Sequence, residues 1–235
     1  MKAPVPKKLL PPLWRSLAVG LAVALISTFS IPAFPQAPNP APEQQRKTST
    51  PYTGDLSIFE YPDRDKKLHI NQVMDLLGIA PGKSVADIGA GSGWFTVRAA
   101  QRVTDSGRVF AVDINPEAIA YITQRASQQG LKNITVTLGE VDNPKLPDAS
   151  IDAVLLLKTY HEVARPVDLM RKVRASLRPG ARIGIIDRDG NGANHGVSKK
   201  LVVQEMETAG YRLTEEHDNL VKDDTMDYFL IFVAK

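Results

Sequence analysis

Val85-Ala-Asp-Ile-Gly-Ala-Gly-Ser-Gly-Trp-Phe95 carries three glycines at alternate positions behind a short apolar run. Val85 to Ile88 reads as a strand, and Gly89, Gly91 and Gly93 let the chain turn sharply out of it. With no Cβ in the way, a ligand can also press against the loop backbone. Asp87 sits near the strand's carboxyl end. Twenty residues after Gly93, Asp113 closes a second apolar run, Val109-Phe-Ala-Val-Asp113. That is the place and spacing for a carboxylate that accepts both hydroxyls of a ribose.

Three readings of the loop compete. A dinucleotide-binding Gly-x-Gly-x-x-Gly pattern needs its last glycine at position 94, where this chain has Trp94. A pyrophosphate would also be repelled by Asp87. A ligand with a cationic amino-acid end and an adenosine end suits the two carboxylates better, and S-adenosylmethionine has both ends. The third reading is a glycine turn that only permits close helix–sheet packing.

Working outward, apolar strands alternate with amphipathic helices. Residues 134–138, 151–157 and 182–187 continue the strands, and helical patterns occupy 67–77, 94–102, 116–129, 165–177 and 198–209. Strands apolar on both faces, separated by helices, predict a parallel sheet covered on both sides. At the C-terminus, Tyr211 to His217 and Asp227 to Val233 are strand-like runs with no helix between them. They predict an antiparallel pair at the sheet edge.

The N-terminus is of another kind. Lys2, Lys7, Lys8 and Arg15 precede an unbroken apolar and small-residue run from Leu17 to Ile26, which is shorter than the ~20 residues of a comfortable membrane span. It fits the h-region of a secretory signal, either cleaved near Ile31-Pro32-Ala33 or kept as an anchor. Eleven of the 17 prolines fall in the first 62 residues, so a Pro-rich disordered linker follows. The expected organisation is a signal peptide or membrane anchor at 1–33, a linker at 34–55 and one domain at 56–235. The positive flank predicts export, with the domain facing outward; the cytoplasmic face of the membrane is the alternative.

Composition narrows the classes. Residues 1–45 hold four of the 29 basic and one of the 26 acidic side chains, so the whole +3 excess lies there. A neutral domain does not carry the footprint of a nucleic-acid binder. The absence of cysteine excludes disulfides, thiolate metal sites and cysteine nucleophiles.

From about Leu68 to Asp187 the chain resembles the class I S-adenosylmethionine-dependent methyltransferases. Asp87-Ile-Gly-Ala-Gly-Ser-Gly93 is similar to their first motif, and Val109 to Asp113 to their second strand with its ribose-binding acid. Gly139-Glu140-Val141 stands where the family often has Gly-Asp-Ala beside the adenine. Leu146-Pro147 with Ser150-Ile-Asp-Ala-Val154 resembles the family's Leu-Pro…Ser-Phe-Asp-x-Val pattern, and Leu177-Arg-Pro-Gly-Ala-Arg182 its turn before strand five. The resemblance implies a Rossmann-like α/β fold: a seven-stranded, mostly parallel sheet with an antiparallel C-terminal strand and helices on both faces. It implies S-adenosylmethionine as cofactor, contacted by Asp87, Gly89, Ala90, Gly91, Gly93, Asp113, Ile114, Glu140 and Val141, and by the backbone of Leu157.

Methyl transfer chiefly requires alignment and a group that takes a proton. After the fourth strand comes Lys158-Thr-Tyr-His-Glu162, where His161 is the candidate base and Tyr160 orients or covers the substrate. Packing of His161 against the next helix is the plain alternative. Asp187 or Asp189 could line the pocket or bind a metal, although Leu155-Leu-Leu-Lys158 supplies no acid at the end of the fourth strand. His69, His195 and His217 show no metal-ligand spacing, so no metal is expected. Phe59 to Arg64 is either a surface loop or a cover over the cofactor. The expected activity is methyl transfer to a small-molecule or lipid-like acceptor, with no nucleic acid as partner and with the N-terminal segment engaging membrane or secretion machinery. A non-catalytic module binding the cofactor or a nucleoside is the second reading, and an NAD-dependent oxidoreductase the third.

Overall fold

The computed structural model describes residues 46, 48, 52–191, 195–221 and 226–235. The signal read at 1–33 and most of the linker read at 34–55 lie outside them. After a 3₁₀ turn at Leu56–Glu60, the chain forms helices α1 (Arg64–Lys67) and α2 (Ile70–Leu76) and strand β1 (Ser84–Ile88). Next come α3 (Trp94–Val103), β2 (Arg108–Asp113), α4 (Pro116–Gln128), β3 (Ile134–Leu138) and β4 (Ile151–Leu157). A second 3₁₀ turn, Tyr160–Glu162, leads to α5 (Pro166–Ser176), β5 (Leu177–Asp187), α6 (Lys199–Thr208), β6 (Tyr211–Glu216) and β7 (Tyr228–Ala234).

The seven strands form one sheet in the order β3-β2-β1-β4-β5-β7-β6. β7 runs antiparallel to both of its neighbours, and the remaining pairs are parallel. The expected topology is therefore present, with the C-terminal pair placed so that the last strand inserts beside β5. Strand order reverses between β1 and β4, which opens a crevice at their carboxyl ends.

Alternation along β4 explains why helices cover both faces. Val154 and Leu156 pack into a core with Val167, Met170 and Val173 of α5 and Val202 and Met206 of α6. Ala153, Leu155 and Leu157 pack the other way, against Val73 of α2 and Phe95, Ala99 and Val103 of α3. The caps follow the sequence: the Asn115 side chain accepts from Glu117 N–H, with Pro116 as the first helical residue.

Two local expectations differ from the structure. The helix read across 67–77 breaks at His69, which takes a positive φ of 46°. Leu68 and Ile70, two residues apart, would point to opposite sides of a continuous helix, and the break buries both. β5 starts at Leu177 rather than 182, because Leu177 pairs with Ile151 before an irregularity admits the Pro179-Gly180 turn. No helix among the described residues is long and apolar enough to cross a membrane.

Candidate active site

A cavity of about 690 Å³ opens at the carboxyl ends of β1, β2, β4 and β5. Its floor is the glycine loop. Gly89 has φ +73°, and a Cβ there would sit 2.2 Å from Cγ2 of Thr159, so only glycine lets the loop after β4 close over the end of β1. The Gly91 N–H donates to Oδ2 of Asp113 at 2.8 Å, and the Asn115 N–H donates to Oδ1 at 2.9 Å. Asp113 is thus fixed by one backbone donor on each oxygen and keeps a lone pair on each for a further donor.

Asp87 is 2% exposed and lines the same cavity. Its Oδ2 accepts from the Thr96 hydroxyl at 2.6 Å. Burial, opposed by the Thr96 hydroxyl and Arg64 and aided by Asp113, raises the Asp87 carboxyl to about 7. This is a buried carboxyl that a ligand cation would ionise.

The segment before α1 is part of the site. Arg64 is buried, donates to the Phe59 carbonyl at 2.7 Å and stacks 4.3 Å from the Trp94 ring centroid. Glu60 accepts from Ser92 Oγ at 2.6 Å and from Arg125 Nη2 at 3.0 Å, which fastens the segment to the glycine loop and α4. Phe59 lies over Gly91, so the stretch read as either surface loop or cofactor cover packs over the glycine loop and lines the cavity.

The opposite end is formed by loops after β4 and β5. Asp187, fully buried at the end of β5, accepts from His161 Nδ1 at 2.8 Å and from the His161 backbone N–H at 3.0 Å. The arrangement sets the imidazole tautomer and leaves Nε2 at the cavity, 3.7 Å from Oε1 of Glu162. Burial pushes Glu162 up to about 7, against the pull of His161. Lys158, Arg188 and His195 complete this end.

Ten of the residues singled out in the sequence line the cavity: Asp87, Gly89, Ala90, Gly91, Asp113, Ile114, Glu140, Val141, Leu157 and His161. Gly93 and Tyr160 do not. Gly93, at φ +72°, starts α3 with its Cα against Ile122 of α4, so its role is helix packing. The Tyr160 side chain is fully buried in the core between α5 and β5 and lies 5.3 Å under the Arg46 guanidinium. Tyr160 therefore cannot orient or cover a substrate: the 3₁₀ turn sends it inward and His161 outward to the cavity.

Several site residues gave no sequence signal. His195 follows His161 by 34 positions, and only the adjacency of β4 and β5 brings their loops together. Arg46, within the stretch read as linker, pairs with Glu205 at 2.9 Å and donates to the Val163 carbonyl at 3.0 Å. It binds the same loop that presents His161.

The methyltransferase domain family model matches residues 79–226, well over half of the chain. The chain belongs to this family. It is 33% identical over 112 residues to an arsenite methyltransferase of Halobacterium salinarum, covering 46% of this chain and 28% of that one. It is 23% identical to a ubiquinone/menaquinone biosynthesis C-methyltransferase of Hydrogenovibrio crunogenus, covering 69% of this chain and 62% of that one. The chain thus spans less than two thirds of the length of these curated relatives. Among solved structures, a SAM-dependent methyltransferase from Aquifex aeolicus superimposes with a TM-score of 0.68, at 23% identity, covering 77% of this chain and 98% of that one. That likeness establishes a shared fold.

Proposed function

We propose that this domain transfers a methyl group from S-adenosylmethionine to a small-molecule or lipid-like acceptor. One observation carries the reading. Of five large apolar side chains exposed among the described residues, four (Tyr52, Ile58, Ile114 and Val141) line the cavity. Exposed apolar surface gathered in one cleft marks a ligand site rather than chance.

The chain's own residues fit the cofactor. Ile114 and Val141 offer apolar surface to a base. Asp113 takes ribose hydroxyls on the lone pairs its backbone donors leave, and Asp87 faces an ammonium. Bound there, S-adenosylmethionine supplies an electrophilic methyl carbon on a sulfonium. The acceptor's nucleophile forms the new bond to that carbon, and the carbon–sulfur electron pair stays on sulfur as a neutral thioether. His161, its Nδ1 held by Asp187, turns Nε2 to the end of the cleft where the acceptor gives up its proton.

The relatives' acceptors do not transfer simply. Arsenite is thiophilic, and a chain without cysteine offers it no thiolate. The reading keeps the N-terminal signal as its setting, with the domain exported or held at a membrane; fractionation of cells expressing the full chain tests that placement. Calorimetric titration of the full chain with S-adenosylmethionine, with NAD as control, tests the cofactor. Micromolar binding to the first and none to the second is expected. Tight binding to NAD would restore the oxidoreductase reading. Binding without transfer of labelled methyl to any acceptor pool would favour a non-catalytic module.

A further inference from the structure

We propose that His161, Glu162 and His195 hold one divalent first-row transition-metal ion at the acceptor end of the cleft. Each offers one ligand atom, and these atoms lie within 4.8 Å of one another. Around an ion with bonds of about 2.0–2.1 Å, neighbouring ligand atoms stand ~3–3.5 Å apart. His161 Nε2 and Glu162 Oε1 are already at 3.7 Å. The His161 and His195 rings approach edge-on, with centroids 5.9 Å apart and an interplanar angle of 85°. Glu162 is half-buried and His195 exposed, so both side chains border open space through which an ion can reach them.

The surroundings match those of a metal-bound histidine. Such a residue gives its other ring N–H to a carboxylate, which orients the ligand and raises its basicity. Asp187 does this for His161 at 2.8 Å, and it holds the residue's backbone N–H as well. Glu162 and Asp187 together balance a double positive charge. Two imidazoles and one carboxylate select zinc, iron(II) or cobalt(II) over magnesium or calcium, which favour all-oxygen sets.

Three protein ligands leave open positions, and all three residues line the cavity. An acceptor bearing an ionisable oxygen fits them. With the ion bound, His161 Nε2 serves as a ligand in place of a base: coordination lowers the pKa of the acceptor's O–H, the proton leaves to solvent, and the oxygen takes the methyl carbon as the carbon–sulfur bond breaks. This last step rests on the methyltransferase reading; the metal site does not.

The test uses the untagged full chain, stripped with a chelator and titrated calorimetrically with zinc(II), with magnesium(II) as comparison. One equivalent of zinc should bind, and magnesium should not compete. His195→Ala and Glu162→Gln should each weaken zinc binding at least tenfold, while His217→Ala, outside the cavity lining and paired with Glu215, should leave it unchanged. Cobalt(II) substitution should produce visible absorption that His195→Ala abolishes. No zinc binding, or binding indifferent to both substitutions, would overturn the proposal. A parallel titration with S-adenosylmethionine separates the two readings: cofactor binding without zinc binding removes only the metal site, and zinc binding without cofactor binding removes only the methyltransferase.

Discussion

Asp87 should make cofactor binding pH-dependent. In the ligand-free domain burial raises its carboxyl to about 7. An ammonium placed against it stabilises the ionised form, so binding releases a proton wherever the free site is protonated. At pH 6 only about a tenth of the free sites are ionised, and at pH 7.5 about three quarters, by simple titration around 7. Affinity for S-adenosylmethionine should therefore rise about eightfold over that interval, ~1.2 kcal/mol. The window stays below the ~7.7–8.0 at which an α-amino group loses its own charge.

Calorimetry at pH 6.0, 6.5, 7.0 and 7.5, in buffers of different ionisation enthalpy, reads both the slope and the proton released. Asp87→Asn should bind weakly and with less pH dependence. Glu162 also rises to about 7 and lines the cavity, so the variant is needed to identify the source. A flat wild-type profile would refute the placement of the ammonium. An unchanged slope in Asp87→Asn would assign the proton to another group.

The same carboxyl affects folding. Its folded pKa lies above the unfolded value of 3.8, so its stabilising contribution is complete below that value and is lost as pH rises through 7. Ligand-free Asp87→Asn should gain stability at pH 8, with a ceiling of about 4 kcal/mol, and nothing near pH 3.5; denaturant titration at both pH values decides it. Asp113→Ala removes the acceptor for Gly91 N–H and for a ribose, and should weaken cofactor binding by about 1–3 kcal/mol; unchanged affinity would move the ribose elsewhere. Gly93→Ala forces a side chain to positive φ with its Cβ 3.0 Å from Ile122, and should cost about 1–2 kcal/mol of stability, measured as a shift in denaturation midpoint. Arg46→Ala removes the ion pair to half-buried Glu205 and the bond to the Val163 carbonyl, and should destabilise the domain by about 1–3 kcal/mol; an unchanged midpoint would mean the contact is idle.

The glycine-loop end of the cleft was legible because its determinants are local. One strand, one glycine loop and one carboxylate twenty residues on are spelled out in order, and the structure assembles them as written. The sheet was legible for a related reason: parallel strands buried on both faces leave unbroken apolar runs, as in β4. The Phe59 cover gave a weaker signal, since Arg64 announces neither its burial nor its stacking on Trp94 until α3 is in place. Tyr160 was misread because periodicity says nothing about direction within a three-residue 3₁₀ turn. His195 was invisible as a partner of His161 because only strand order makes them neighbours. Arg46 lay in a stretch whose proline content argued for a tether, and one buried ion pair outweighs composition locally.

The two ends of the cleft are held together by different means, and this bears on how specificity arises. On the cofactor side, backbone N–H groups fix Asp113, and glycines hold the loop where no side chain fits; almost any substitution there disturbs the frame. On the other side, His161, Glu162, Lys158 and His195 project from the loops after β4 and β5, where the side chains of Asp187 and Arg46 hold the backbone of the first loop. Changes in those loops alter the chemistry offered to an acceptor while the frame remains. The curated relatives carry names as different as arsenite methyltransferase and ubiquinone/menaquinone biosynthesis C-methyltransferase. Acceptor choice in this chain should accordingly follow from the His161–Glu162–His195 corner, and substitution there should change which acceptor is methylated before it changes cofactor affinity.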